Sequence, residues 1–148
     1  MIGVPGIQRT WSARELFNWA STPAFAATPR IGAATVSTAN TARDGSGTIA
    51  TVLTAGASGT KIEEVVLAAT SDPADSTVPI FLHDGSTYFY FDEFDIGNPA
   101  AGSTTVAPYR TYRLYDNLVL PTSWSIRASI TVALTAGVVD VFALGADL

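Results

Sequence analysis

His83 is the only histidine of the chain, and Asp84 and Ser86 follow it within three positions. Histidine, carboxylate and hydroxyl are the residue types of a nucleophilic hydrolase, in which the imidazole takes the serine proton and the carboxylate orients the ring. Their spacing argues against that chemistry. His83-Asp84-Gly85-Ser86 reads as a hairpin turn, because Asp-Gly suits the positive φ values of a tight two-residue loop. Side chains on such a turn are expected to project into water, with nothing to exclude solvent or to supply an oxyanion hole. No enzymatic activity is expected from this segment.

Asp92, Glu93 and Asp95 form a second cluster. Carboxylates are hard ligands suited to Ca²⁺. Strand alternation, however, places Asp92 on the opposite face from Glu93 and Asp95, and the spacing is not that of an EF-hand loop. The cluster reads as a solvated strand end, so neither a metal nor another cofactor is expected. Tyrosines form the third group: Tyr88 and Tyr90, then Tyr109, Tyr112 and Tyr115. Three uses are open to them, namely sheet packing, a subunit interface in which one end of the ring stays wet, and stacking on sugar rings. Tyr88, Tyr90, Tyr109 and Tyr112 are the candidate interface residues.

The elements that hold these residues read as strands. From Thr35 the apolar period is two. Ile49–Thr54, Lys61–Ala69, Val78–Leu82, Thr87–Asp95, Tyr109–Tyr115, Leu118–Leu120, Trp124–Val132 and Val138–Leu144 are the expected strands. Glu63-Glu64 breaks the alternation and is a place for a bulge. Pro79 points to an edge or the start of a strand. In the Trp124 strand, Trp124, Ile126, Ala128, Ile130 and Val132 are expected inward, with Ser125, Arg127, Ser129 and Thr131 outward. About eight short strands with frequent turns predict an all-β, antiparallel sandwich of jelly-roll type.

Residues 1–34 are different. They hold Trp11, Leu16, Phe17, Trp19 and Phe25 in a Pro-punctuated stretch too short to bury them by itself. Ser12 and Glu15 have capping-box spacing, and Trp11 with Leu16 makes the matching hydrophobic staple, so a short helix over about 13–20 is expected. Residues 21–34 read as a linker. The division is therefore an arm over 1–34 and a body over 35–148. An arm with this much apolar surface either docks on a partner or folds back over an open end of its own sandwich.

Composition narrows the function. The chain has 148 residues, 47% apolar and 14% charged, with net charge −5 and Lys61 as its sole lysine. A free monomer usually shows more charge. Without a basic patch to neutralise phosphates, nucleic acid is not an expected partner. No apolar run approaches the roughly 20 residues that span a bilayer, and MIGVPGIQRT lacks the pattern of a signal peptide. Synthesis in the cytoplasm and no membrane partner are the expectation. The chain has no cysteine, which removes disulfides and thiolate metal sites.

Several turn and strand-end motifs stand out along the body. They are Thr38-Ala39-Asn40-Thr41, Asp44-Gly45-Ser46-Gly47-Thr48-Ile49, Thr54-Ala55-Gly56, Lys61-Ile62 and Ile80-Phe81-Leu82-His83-Asp84-Gly85. Leu120-Pro121, Trp124-Ser125-Ile126-Arg127-Ala128-Ser129 and Val141-Phe142-Ala143-Leu144-Gly145 complete the set. Through these, residues 37–146 resemble small virion structural proteins of tailed bacteriophages. The resemblance implies a capsid decoration (cement) protein without enzymatic activity, made in the host cytoplasm and placed on the capsid surface of the virion. Its partner would be the major capsid protein, with Trp11, Leu16, Phe17, Trp19 and Phe25 as the arm's anchors. Self-association is expected, a trimer best fitting a repeated surface lattice. The alternative is a tail or fibre module that binds host glycan through tyrosines and loop residues such as Asn98 and Asn117.

Overall fold

The computed structural model describes residues 28–70, 75–96, 110–133 and 137–148. The expected arm helix, its anchors Trp11, Leu16, Phe17, Trp19 and Phe25, the candidate Tyr109 and the loop over 97–108 lie outside the described residues.

Eight strands are present among the described residues: β1 (Thr28–Val36), β2 (Ala50–Thr54), β3 (Thr60–Ala69), β4 (Ser76–His83), β5 (Tyr88–Ile96), β6 (Arg110–Leu120), β7 (Ser125–Ala128) and β8 (Val139–Asp147). They form two antiparallel four-stranded sheets, in the orders β1-β8-β3-β6 and β2-β7-β4-β5. One core fills the space between the sheets. Ile62, Val65, Leu67, Val139, Val141 and Ala143 come from the first sheet, and Val52, Val78, Ile80, Phe94, Ile126 and Ala128 from the second. Period-two alternation sends these side chains inward, which gives the sandwich expected for an all-β chain.

The strands are not quite the eight read from sequence. Residues 28–34, read as the end of a linker, belong to β1, which pairs along its whole length with β8, from Thr28↔Asp147 to Val36↔Val139. The arm therefore ends no later than residue 27. Pro29 sits in an edge strand near its start, where a missing N–H is tolerated. Gly32 is needed there because a Cβ would run into the Val52 carbonyl and Leu53 of β2. The two expected strands Tyr109–Tyr115 and Leu118–Leu120 are one strand, β6.

Two further readings are corrected. Pro79 lies in β4, an interior strand flanked by β5 and β7. The β7 ladder begins beyond it, at Ile80↔Ala128, so Pro79 stands just outside that ladder, where its carbonyl still accepts the Ser129 N–H at 3.1 Å. Strand β7 ends at Ala128 rather than at Val132. Beyond it Ser129 is buried and Val132 is exposed, opposite to the expected alternation. The chain turns there as Ile130 bridges to Ala39, with Asn40 N–H donating to the Ile130 carbonyl.

Bulges sit where side chains must be re-aimed. One falls at Ile62/Glu64 in β3, where the sequence breaks alternation. Another opposes Thr51/Leu53 to Arg127/Ile126, and leaves both Val52 and Leu53 buried. A third, between Ile80 and Phe81, makes Phe91 the extra residue of β5.

Candidate interaction surface

The outer face of the β1-β8-β3-β6 sheet is built from three rows that cross all four strands. Register places Ile31, Leu144, Glu64 and Leu114 in one row, Ala33, Phe142, Val66 and Tyr112 in the next, and Thr35, Asp140, Ala68 and Arg110 in the third. Eight of these twelve residues are apolar or aromatic. Ile31 is 73% exposed, Leu114 64% and Tyr112 61%. Between them runs an open groove of about 440 Å³ lined by Ile31, Val66, Ala68, Arg110, Phe142 and Leu144. Its polar rim is provided by Arg110, Glu64 and Asp140, the last accepting a hydrogen bond from Thr35 Oγ1 at 2.6 Å. A contiguous apolar patch with a polar rim marks an interaction surface.

The opposite outer face is already occupied. On the β2-β7-β4-β5 sheet, Phe81 is fully buried outside the inter-sheet core, beneath the edges of Tyr88 and Tyr90 at centroid separations of 6.1 and 6.0 Å. The chain between β1 and β2 folds over them. Gly45, at φ +89°, lies so close to the Tyr88 ring that a Cβ would overlap it. Arg127 lies over the same ring at 5.3 Å and donates to Tyr88 Oη at 2.7 Å. Tyr90 donates to Glu93 at 2.8 Å, and Arg43 from the covering loop pairs with the same carboxylate.

The candidate tyrosines therefore do not converge. Tyr88 is half-buried in intramolecular contacts and Tyr90 stands at their margin, whereas Tyr112 is on the far side of the sandwich.

The acidic cluster is divided, as alternation requires. Glu93 meets Arg43 and Tyr90 on the outer face. Asp92 turns to β6 and accepts from Arg113 and from Tyr115 Oη, the latter at 2.5 Å. Burial works against ionisation of Asp92, but hydrogen bonds from Tyr115, Arg113 and the Glu93 N–H outweigh it and hold the carboxyl below its ordinary range. Burial, then the Asp92 carboxylate, push the Tyr115 phenol well up. Each of these two carboxylates is matched by an arginine and a tyrosine. No three His, Asp or Glu side chains converge as a metal site among the described residues.

His83 does not project into water; it is 8% exposed. Its ring lies 4.3 Å from that of Tyr88, and its Nδ1 accepts the Gly85 N–H at 3.1 Å. A tight turn does lie here, one residue later than read: Asp84 N–H donates to the Thr87 carbonyl at 3.3 Å, Gly85 alone takes a positive φ, +106°, and Asp84 Oδ1 accepts the N–H groups of Ser86 and Thr87 at 2.8 and 2.7 Å. Ser86 Oγ bonds to Asp84 rather than to the imidazole. These contacts fix a turn and assemble no nucleophile with its base.

The sheet face with its groove was missed from sequence, although a signal was there. Val65-Val66-Leu67-Ala68-Ala69 and Val141-Phe142-Ala143-Leu144 are continuous apolar runs without alternation. Such runs belong to strands covered on both faces. Of the expected interface residues that are described, Tyr112 lies on this face, and Tyr88 and Tyr90 do not.

No family model, curated protein or solved structure matches the chain.

Proposed function

We propose that this chain is a capsid decoration (cement) protein of a tailed bacteriophage, a non-enzymatic subunit that binds the outer surface of the head and stabilises contacts between major capsid proteins. The observation that carries the reading is the exposed apolar face of the β1-β8-β3-β6 sheet. A sheet that is apolar on both sides implies a cover, and an assembly subunit has one in its neighbours. The strand orders β1-β8-β3-β6 and β2-β7-β4-β5 support a jelly-roll reading, an architecture used by viral capsid and lectin domains. The turn and strand motifs of residues 37–146 support the phage virion assignment in the same way.

The physical role follows from mass action. A ligand that binds only the assembled shell stabilises that state by its own binding free energy. Trp11, Leu16, Phe17, Trp19 and Phe25 are the anchors of the arm, since buried aromatic residues commonly dominate interfaces. Closed self-association, with three copies about an axis, suits a repeated shell surface.

The test is the density of the intact virion. Copies of this fold on the outside of the head, bridging coat subunits, are expected; density confined to a tail fibre would overturn the assignment. Heads carrying the full chain with Phe17→Ala and Trp19→Ala should lose most of their decoration on dilution. Deletion of residues 1–34 would be a poor substitute, because it removes seven residues of β1.

A second reading, a tail module that binds glycan, is favoured by Phe89, Tyr90 and Phe91 on the edge strand β5, which are 44%, 46% and 38% exposed. Glycan-array binding that is lost on Tyr90→Ala would support it.

A further inference from the structure

We infer that in the free chain residues 1–27 lie across the outer face of their own β1-β8-β3-β6 sheet. The inference goes beyond the capsid reading and does not depend on it. It joins a sheet face that has no cover among the described residues to a segment whose sequence is rich in apolar residues.

The first surface is the sheet face itself. Ile31, Phe142, Leu144, Val66, Tyr112 and Leu114 form its apolar centre. The other sheet's outer face is covered by the chain between β1 and β2, with Gly45 against Tyr88 and Arg43 on Glu93. The β1-β8-β3-β6 face has no such cover among the described residues.

The second surface is the segment. Of residues 1–27, 14 are apolar, among them Trp11, Leu16, Phe17, Trp19 and Phe25. Its charged side chains are Arg9, Arg14 and Glu15, a balance of +1. The face opposes this with Glu64, Asp140 and Arg110, a balance of −1.

Attachment and length select this occupant. The segment joins the body at Thr28, the first residue of β1, which is an edge strand of this very sheet. Ile31, the most exposed apolar residue of the face, is three positions away. Four strands spaced by about 4.8 Å span roughly 14 Å from first to last. At about 3.4 Å per residue, Phe25 can reach the β1 and β8 columns and Trp19 can reach β6. A tethered segment meets the face at an effective concentration on the order of millimolar. A second copy must match that from solution. A coat subunit that takes the anchors must therefore displace them from this face, which makes partner binding a competition.

The test uses the full chain, whose lack of cysteine permits single-site labelling. A nitroxide on Leu114→Cys, and independently on Tyr112→Cys, probes the face at two exposed positions. The readout is relaxation of the indole N–H signals of Trp11 and Trp19, with Trp124 as the internal reference. Thr51→Cys, exposed on the other sheet, provides the control label. Strong broadening of Trp11 and Trp19 from both face labels, with little from Thr51→Cys, is expected. It must vanish when the nitroxide is on unlabelled-isotope chains mixed with isotope-labelled, nitroxide-free chains. Broadening in that mixed sample would identify a second copy as the occupant and overturn the inference. Absence of broadening from both face labels, or equal broadening from Thr51→Cys, would overturn it as well.

Discussion

Tyr115 of β6 donates a 2.5 Å hydrogen bond to Asp92 of β5, across the gap between the two sheets. Arg113 of β6 pairs with the same carboxylate and lies 4.7 Å over the Phe94 ring. Strands β5 and β6 are the outermost strands of their sheets on this side. A polar cluster thus closes one open edge of a sandwich otherwise held by apolar packing. The opposite edge is closed by Arg30 of β1, which pairs with Asp147 at 3.1 Å and donates to the Thr54 carbonyl of β2. Gly32 brings the backbones together there.

Asp92 makes the fold sensitive to acid. Its folded-state pKa is depressed, so its contribution is present above the ordinary carboxylate pKa of about 3.9 and is lost as pH falls through the lower folded value. Thermal melts of the native chain should therefore drop more steeply below about pH 4 than those of Asp92→Asn. Parallel curves for the two proteins would show that the cluster does not couple to folding.

Tyr115→Phe removes one donor and keeps the ring on Phe91, 5.5 Å away. The loss should be about 1 kcal/mol at neutral pH, because Asp92 retains Arg113. In Asp92→Asn the same substitution should cost less, and a double-mutant cycle by urea denaturation measures the difference.

Gly32→Val tests the other edge. The new side chain would meet the Val52 carbonyl and the Leu53 side chain. Overpacking of this kind costs about 1–3 kcal/mol. A substitution without effect on the urea midpoint would mean that β1 and β2 do not approach as closely as described.

Much of the architecture is legible in the residues, and the failures have physical causes. Asp84-Gly85 dictates its hairpin through local backbone chemistry alone, and Glu63-Glu64 marks its bulge because a core strand cannot continue through two carboxylates. Strand β1 is not legible, since Pro29, Gly32, Ala33 and Ala34 carry weak strand preference and only pairing with β8 makes them a strand. The end of β7 is likewise tertiary: Ile130 leaves the ladder to bridge Ala39. At the candidate site, residue type identified Tyr112 but placed it with Tyr88, and nothing local to either says that they face opposite sides of a sandwich. The apolar runs of β3 and β8 held the missing information, because a run without alternation implies cover on both sides.

Two leucines on β6 separate folding from association. Leu120 is buried in the inter-sheet core, at 1% exposure, whereas Leu114 points outward from the other face at 64%. Leu120→Ala leaves a cavity and should cost about 2–5 kcal/mol. Leu114→Glu creates no cavity and should cost under about 1 kcal/mol, as for most surface positions. Association should respond in the reverse order. A carboxylate at Leu114 places charge at the β6 edge of the apolar face, beside Glu64 in the same row, so whatever covers that edge must desolvate it or leave. Binding of the Leu114→Glu protein to undecorated heads, measured by co-sedimentation, reports that surface directly, and urea denaturation of both proteins reports the core. If Leu114→Glu destabilises the chain as much as Leu120→Ala does, the outer face is part of the core. If it leaves stability and every association unchanged, the face is not an interaction surface.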